Sequence, residues 1–552
     1  MSIRNTKTDL PEKRDFDGSS NPALEPGTSD DSLSDRHHGT YHDVRDMGRL
    51  GKKQQFMRNF RFYSILGFTS TLMATWESML TTSAFGLIDG GTGGLIWTYL
   101  VTITLMTCVI ASMADMASMA PTSGGQYHWV SEFAPKSSQR FLSYIVGWTG
   151  ALGWQAGTAT AAYVSGTLIQ GLIVLWNENY VPARWEGTLL TIAMALVMTF
   201  FNTYGARQLP LLEGLVLCLH IFGFFGILIP LWVLAPKQSA VKVFTDFQDG
   251  GGWGSIGTAC IVGQVSAISS FIGPDAGTHM SEEIRDASRI VPLTMIATAI
   301  LNGTLGLVMV ITYCFCIPDL EAVLASPTGY PFIAVFYNAT GSKGATTAMT
   351  MILIVLTIAA GVSILATASR QAFAFARDQG LPWSPVWSKV VKLGTEIPLN
   401  AILLSLGITV ALALVNIGST AAFNSIVSLL VSSLFTGYLV SIGCIFLKRL
   451  KGEPLPPSRF SLGKFAIPLN IISLLYIIFA FIMSFFPTVK AVTAVSMNWS
   501  VLVWSIIMGF STLFYYLHGK KIYKGPVVYV NKELVDYPPP PVIIHNKKSL
   551  ES

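Results

Sequence analysis

Residues Phe271 to Pro292 read FIGPDAGTHMSEEIRDASRIVP, and they decide how the rest of the chain is to be read. A long apolar run, Ile256 to Ile272, stops at Gly273-Pro274 and gives way to Asp275, His279, Glu282 and Glu283. Proline cannot continue a helix and glycine relaxes one, so this spacing predicts an unwound backbone at membrane depth. Non-helical backbone is tolerated there only where it is buried in protein or lines a wet cavity. Broken helices of this kind build the substrate sites of secondary transporters.

The bulk composition agrees. Of 552 residues, 51% are hydrophobic and 12% charged. Soluble domains carry about 25% charged residues, so an ordinary solvated surface cannot be built from this chain. The net charge of +5 gives no sign of a nucleic-acid partner. All six cysteines fall in apolar runs and read as small buried hydrophobes. No P-loop, metal-binding Cys/His spacing or nucleophile elbow occurs, so neither an enzyme, a metal site nor a cofactor is expected.

Twelve runs are long enough to span, since about 20 apolar residues cross ~30 Å of hydrocarbon. They lie at 62–88, 94–119, 141–176, 186–204, 209–235, 255–278, 292–316, 344–370, 398–416, 420–447, 465–487 and 498–517. The third and eighth exceed what a bilayer needs. Between the seventh and eighth, Asp319 to Lys343 forms a long loop with a mildly apolar piece, expected as a short helix over the outer mouth. The polar stretch 1–55 reads as a disordered cytosolic tail, and 519–552, with prolines at 538–541, as a second one. With the N-terminus inside, inner loops collect Lys136, Arg207, Arg285, Arg370, Lys448 and further basic residues. Outer loops hold Arg184, Lys237, Lys242, Lys343 and Lys490. That bias puts both termini in the cytosol. It also puts the sequon at Asn338 outside, where it can be glycosylated, while Asn302 sits in a span and should be silent.

Glu77 lies mid-span in Ala74-Thr75-Trp76-Glu77-Ser78. A carboxylate at helix centre costs roughly 2.5–3.5 kcal/mol on insertion scales, so it needs a partner or a wet cavity. It can anchor a substrate ammonium, with Trp76 offering a cation–π face. It can also titrate, or be a protonated acid bonded to a backbone carbonyl. Asp115 closes the second span as a helix-end or gate residue, and Glu213 is expected to pair with Arg207 at the interface. His220, flanked by Leu219 and Ile221, is either a satisfied core residue or a titrating one. Asp275, His279, Glu282 and Glu283 could suggest a metal. Only Asp275 falls at membrane depth, however, and Glu282 and Glu283 sit beside Arg285 and Arg289, so an inner gate of salt bridges is expected instead.

Three motifs in order carry a family likeness: PTSGGQYHW (Pro121–Trp129), the stretch quoted above, and SRQAFAFARDQGLP (Ser369–Pro382). With them, the chain resembles the amino acid–polyamine–organocation (APC) superfamily. Within it, the chain is similar to the fungal amino acid/choline transporter family that includes GABA and choline permeases, over about residues 55–520. The resemblance implies an all-α bundle of twelve transmembrane helices. Two inverted five-helix repeats have broken first and sixth helices, and two helices are added. It implies a site between those breaks, walled by the third, eighth and tenth helices. Carried over position by position, the site takes Thr75, Trp76, Glu77 and Ser78, then Ser270, Phe271, Ile272, Gly273 and Asp275, with Trp154, Gln155 and Ser363 as weaker candidates. Proton-coupled relatives use a fifth-helix lysine, and counting from Gly205 places that position at His220. The chain departs from the family in having Thr-Trp-Glu-Ser where many members have glycine-rich backbone. That favours a cationic or zwitterionic amine.

The function expected is a proton-coupled secondary transporter of the plasma membrane. Its partners would be protons, lipid and a small amine such as an amino acid, GABA or choline. Rivals are an exporter of an amine-bearing metabolite or its amino-acid precursor, and a non-transporting nutrient sensor. Substrate, direction and oligomeric state are not legible.

Overall fold

The computed structural model describes residues 39–418, 422–494 and 496–526. The chain starts with α1 (Tyr41–Arg49), then breaks its first span into α2 (Phe62–Met73), α3 (Thr75–Thr81) and α4 (Ser83–Ile88). There follow α5 (Gly91–Met119), α6 (Gln126–Phe133), α7 (Gln139–Trp176), α8 (Arg184–Thr203), α9 (Leu209–Leu234) and α10 (Ala240–Thr245). The sixth span is divided among α11 (Ile256–Gly263), α12 (Val265–Ser270) and α13 (Ala276–His279). Beyond it lie α14 (Ala287–Phe315), α15 (Leu320–Leu324), α16 (Pro331–Thr340), α17 (Lys343–Arg377) and α18 (Ser384–Trp387). A two-residue β-ladder, β1 (Val391–Lys392) with β2 (Glu396–Ile397), precedes α19 (Leu399–Gly418). The series ends with α20 (Ala422–Leu450), α21 (Ala466–Met483), α22 (Ser500–Phe514) and a short α23 (Lys520–Ile522).

Among the described residues, ten helices are long and apolar enough to cross a membrane: α5, α7, α8, α9, α14, α17, α19, α20, α21 and α22. The protein is an all-α integral membrane protein. The remaining two expected spans are the interrupted ones. The 38-residue α7 runs through the centre and packs against α8, α17 and α20, while α5 packs against α14 and α21. At 1.5 Å per residue α7 is about 57 Å long, so it projects beyond the hydrocarbon or tilts. The Asp319–Lys343 loop holds two helices, α15 and α16, rather than one. Asn338 is exposed on α16, and Asn302 is buried with its amide on the Ser70 carbonyl.

Both expected tails are ordered where they adjoin the bundle. Thr40 caps α1, and Asp43 of α1 in turn accepts from the backbone N–H groups of Asp286 (2.8 Å) and Ala287 (3.0 Å). The unpaired N–H groups that open α14 are thereby satisfied by a carboxylate. Composition points to disorder here, but this polar helix finds its partners in backbone groups of another span. Tyr523 is fully buried and its hydroxyl bonds Ser143 at 2.6 Å, so the start of the second tail is docked as far as Tyr523. Residues 1–38 and the prolines at 538–541 lie outside the described residues.

Candidate functional site

The first span breaks at Ala74, which takes the left-handed conformation (φ 42°, ψ 48°). That is one residue before the expected break. Thr75, Trp76, Glu77 and Ser78 thus form the first turn of α3, where a carboxylate is favoured by the helix dipole. In the sixth span the helix stops after Ser270 and resumes at Ala276, so Phe271, Ile272, Gly273, Pro274 and Asp275 are unwound as expected. Gly273 has φ +89°, and a Cβ there would lie 2.9 Å from Leu72 and 3.3 Å from the Trp154 ring. Only glycine fits that position.

Between the two breaks is a cavity of about 100 Å³. Glu77, Ser78, Trp154, Ile272 and Gly273 line it, with Thr160 from α7, Thr357 and Ile364 from α17, and Val427 and Leu430 from α20. The third, eighth and tenth spans are therefore its walls. A separate cavity of about 220 Å³ meets α20 and α21 and has no titratable side chain in its lining. The central cavity is the chemical site because it contains Glu77.

The Glu77 carboxylate is 1% exposed, and its Oε1 lies 2.6 Å from Nδ1 of the fully buried His220 on α9. When Glu77 is ionised, Nδ1 carries the hydrogen in this contact, because a carboxylate can only accept. Trp76 packs against His220 and Phe224, at ring-centroid separations of 5.9 and 6.0 Å. Glu77 Oε2, His220 Nε2 and Trp76 Nε1 have no hydrogen-bond partner among the described residues. The imidazole, rather than a backbone carbonyl, is what holds this acid.

Seven expected binding residues do not line the cavity. Thr75 instead ties the two breaks together, its hydroxyl donating to the Ser270 carbonyl at 2.9 Å. The Ser270 hydroxyl turns back on Ser266, and Phe271 packs on Tyr99. Trp76 is spent on His220 and Phe224. Gln155 is buried beside the cavity wall without entering the lining. Asp275 is bonded elsewhere: Tyr438 donates to Oδ1 and Gln126 to Oδ2 at 2.7 Å. Ser363 bonds Glu213 at 2.7 Å. Glu213 is thus buried inside the bundle, away from the interface pairing with Arg207. Its position one helical face round from Arg207 is the signal that sequence reading missed.

The face bearing the basic loops is closed by ion pairs. Arg377 grips Glu282 with two bonds of 2.8 and 2.7 Å, and Arg370 bonds Glu283 at 2.9 Å. Arg449 reaches Asp115 at 2.5 Å, Arg49 reaches Glu132 at 2.9 Å, and Lys52 pairs with Asp378. Arg285 takes part through its backbone, which donates to the Phe60 carbonyl at 3.0 Å. The gate acids Glu282 and Glu283 therefore pair with Arg377 and Arg370 of α17, and Asp115 with Arg449 of α20. Burial alone would raise the Glu282 carboxyl, but Arg377, with Lys52 and Arg58, holds it below the ordinary value.

A family model described as amino acid permease matches residues 60–507. The chain belongs to the amino acid permease family, within the APC superfamily. It is 30% identical to a protein of Macrophomina phaseolina named "Putative amino acid/polyamine transporter", over 79% of this chain and 96% of that one. It is 28% identical to a choline transporter of Saccharomyces cerevisiae, over 84% of this chain and 82% of that one. With amino-acid permease 2 of Neurospora crassa it shares 25% identity, over 87% and 88%. This permease is a transporter of amino-acid-like solutes and not an enzyme.

Proposed function

We propose that this permease is a proton-coupled symporter that imports a small amine-bearing solute, such as an amino acid, GABA or choline, across the plasma membrane. The observation that carries this reading is the Glu77 carboxylate in a small cavity otherwise lined mostly by apolar and hydroxyl side chains. In such surroundings an anion attracts an ammonium group far more strongly than water would allow. The named relatives, an amino acid/polyamine transporter and a choline transporter, share that cationic nitrogen as the common chemistry of their cargo.

Coupling is assigned to the Glu77–His220 pair. With a second proton on the imidazole, making it an imidazolium, the pair is neutral overall while Glu77 stays ionised to receive the solute. Without it the pair buries a net negative charge, which the interior disfavours. Rocking about the two breaks would expose the loaded cavity to the cytosol, with both termini on that side. One charge moved through ~100 mV supplies about 2.3 kcal/mol, enough for roughly fifty-fold accumulation. The test is uptake of radiolabelled GABA, choline, basic amino acids and polyamines in a permease-deficient yeast between pH 5 and 7. The reading expects one of these classes to be taken up faster toward pH 5 and to be lost with a protonophore. Uptake indifferent to both would overturn the coupling.

A further inference from the structure

On the opposite side of Trp154 from the cavity lies a second buried histidine that the transport reading does not use. The Trp154 ring lines the cavity, while its Nε1–H donates to Nε2 of His279 at 3.2 Å. The other ring nitrogen, Nδ1, is 2.9 Å from the Ser123 carbonyl. These two partners fix the tautomer. A carbonyl only accepts, so Nδ1 bears the hydrogen; an indole N–H only donates, so Nε2 is bare. His279 is therefore neutral in this arrangement.

The bare nitrogen has a second neighbour. Asp275 Oδ2, four residues back and just before α13, lies 3.4 Å from the same Nε2. A proton arriving at Nε2 turns an acceptor into a donor. The bond from Trp154 is then impossible, since two donors would face each other, and the bond to Asp275 becomes favourable. The ring itself cannot easily move away. Gly125, at φ +53°, lies so close that a Cβ there would meet His279 Cε1 at 2.9 Å. The imidazole is clamped, so Trp154 is the group that must yield.

We propose that His279 is a positioning residue for transport, a proton-operated latch whose charging at Nε2 transfers its bond from Trp154 to Asp275 and frees the cavity wall on the side of the basic face. The proposal rests on the proton-coupled reading above but uses a different pair of groups from Glu77 and His220. The other titratable neighbours are committed. Tyr438 of α20 is bound to Asp275, and Glu282 and Glu283 hold Arg377 and Arg370 of α17. On the α6 side Tyr127 donates to Asp378, His128 is buried among cations, and Glu132 holds Arg49. From α2 comes only the exposed Tyr63, and from the start of α14 the exposed Arg289. Among the described residues, Asp275 is the one charged group within ion-pair distance of His279.

The experiment is ¹⁹F NMR of the full chain in lipid nanodiscs, labelled with 5-fluorotryptophan and titrated from pH 5 to 8. The Trp154 resonance is assigned by its loss in Trp154→Phe. In the wild type and in His220→Gln it should shift between two positions with pH. In His279→Gln it should stay at one position, and in Asp275→Asn the midpoint should fall by about one pH unit, because the partner that favours the charged ring is gone. A wild-type Trp154 signal that ignores pH, or an unchanged titration in His279→Gln, would overturn the latch. Should His279→Gln not give monodisperse protein, an unshifted midpoint in Asp275→Asn overturns it equally. No solute and no gradient are needed, so a titrating Trp154 together with pH-independent uptake would sink the coupling reading and leave the latch standing.

Discussion

The hydroxyl of Thr75 donates to the backbone carbonyl of Ser270 at 2.9 Å, across 195 residues of sequence. Each residue sits at the edge of a broken helix, where backbone groups lose their i to i−4 partners. One side chain thus satisfies the end of the other break. This cross-tie fixes the distance between the half-helices that bound the cavity.

Thr75→Val keeps the shape and removes the donor. A buried carbonyl left without a partner costs about 1–3 kcal/mol. Thermal unfolding in detergent should therefore begin at lower temperature for Thr75→Val than for Thr75→Ser, which retains the hydroxyl. Equal melting of the two variants would show that the tie adds nothing.

Glu77 and His220 should behave as a unit. Removing one member of a buried pair strands the other, at a cost of about 3–5 kcal/mol, whereas removing both does not. Glu77→Gln and His220→Gln are each expected to lower thermal stability, and the double variant to lose markedly less than the sum. A double-mutant cycle on melting of the purified protein measures the coupling directly, and additive losses would argue against it.

The sequence announces one of these breaks and hides the other. Gly273-Pro274 carries its own chemistry: a proline that cannot donate and a glycine at positive φ. Ala74 carries none: alanine is the best helix former, and nothing in its own chemistry calls for the left-handed conformation it takes. The break at Gly273-Pro274 was legible, but not the direction in which Asp275 leaves it, and that direction decides that it meets Tyr438 and Gln126 rather than the cavity. Ignorance of helix phase hid the burial of Glu213 against Ser363. Counting along the fifth span picked out His220, yet nothing in the chain could say that Glu77, 143 residues away, is its partner. Helix α1 was missed because its stabilising partners are backbone N–H groups, which leave no trace in composition.

Glu282 makes the ion-pair face sensitive to acid. Its carboxyl is held below the ordinary value of 4.5, so in the folded protein it keeps its charge to lower pH than in the unfolded chain. The stability it contributes is complete above about pH 4.5 and is lost as pH falls through the folded value. Wild-type melting temperature should drop on acidification in that window. Glu282→Gln should be less stable at pH 7, by about 3 kcal/mol or more for the stranded Arg377, and should lose this acid dependence. A parallel acid drop in the variant would assign the effect to other groups.

Asp43 holds the first described segment against the bundle through two backbone N–H groups and Arg58, 3.3 Å away. Asp43→Ala removes all three contacts at once. Limited proteolysis should then cut between residues 50 and 60 at least several-fold faster than in the wild type. An unchanged cleavage rate would mean that Arg58, through its bonds to the Ser281 and Ile284 carbonyls, suffices on its own.

The central claim is that Glu77 receives the nitrogen of the transported solute between the two broken spans. Its most direct test is the uptake kinetics of Glu77→Gln in permease-deficient yeast, for whichever amine the wild type carries, with surface expression measured alongside. The account predicts normal surface levels with uptake reduced at least tenfold. Wild-type KM and maximal rate in that variant would contradict it.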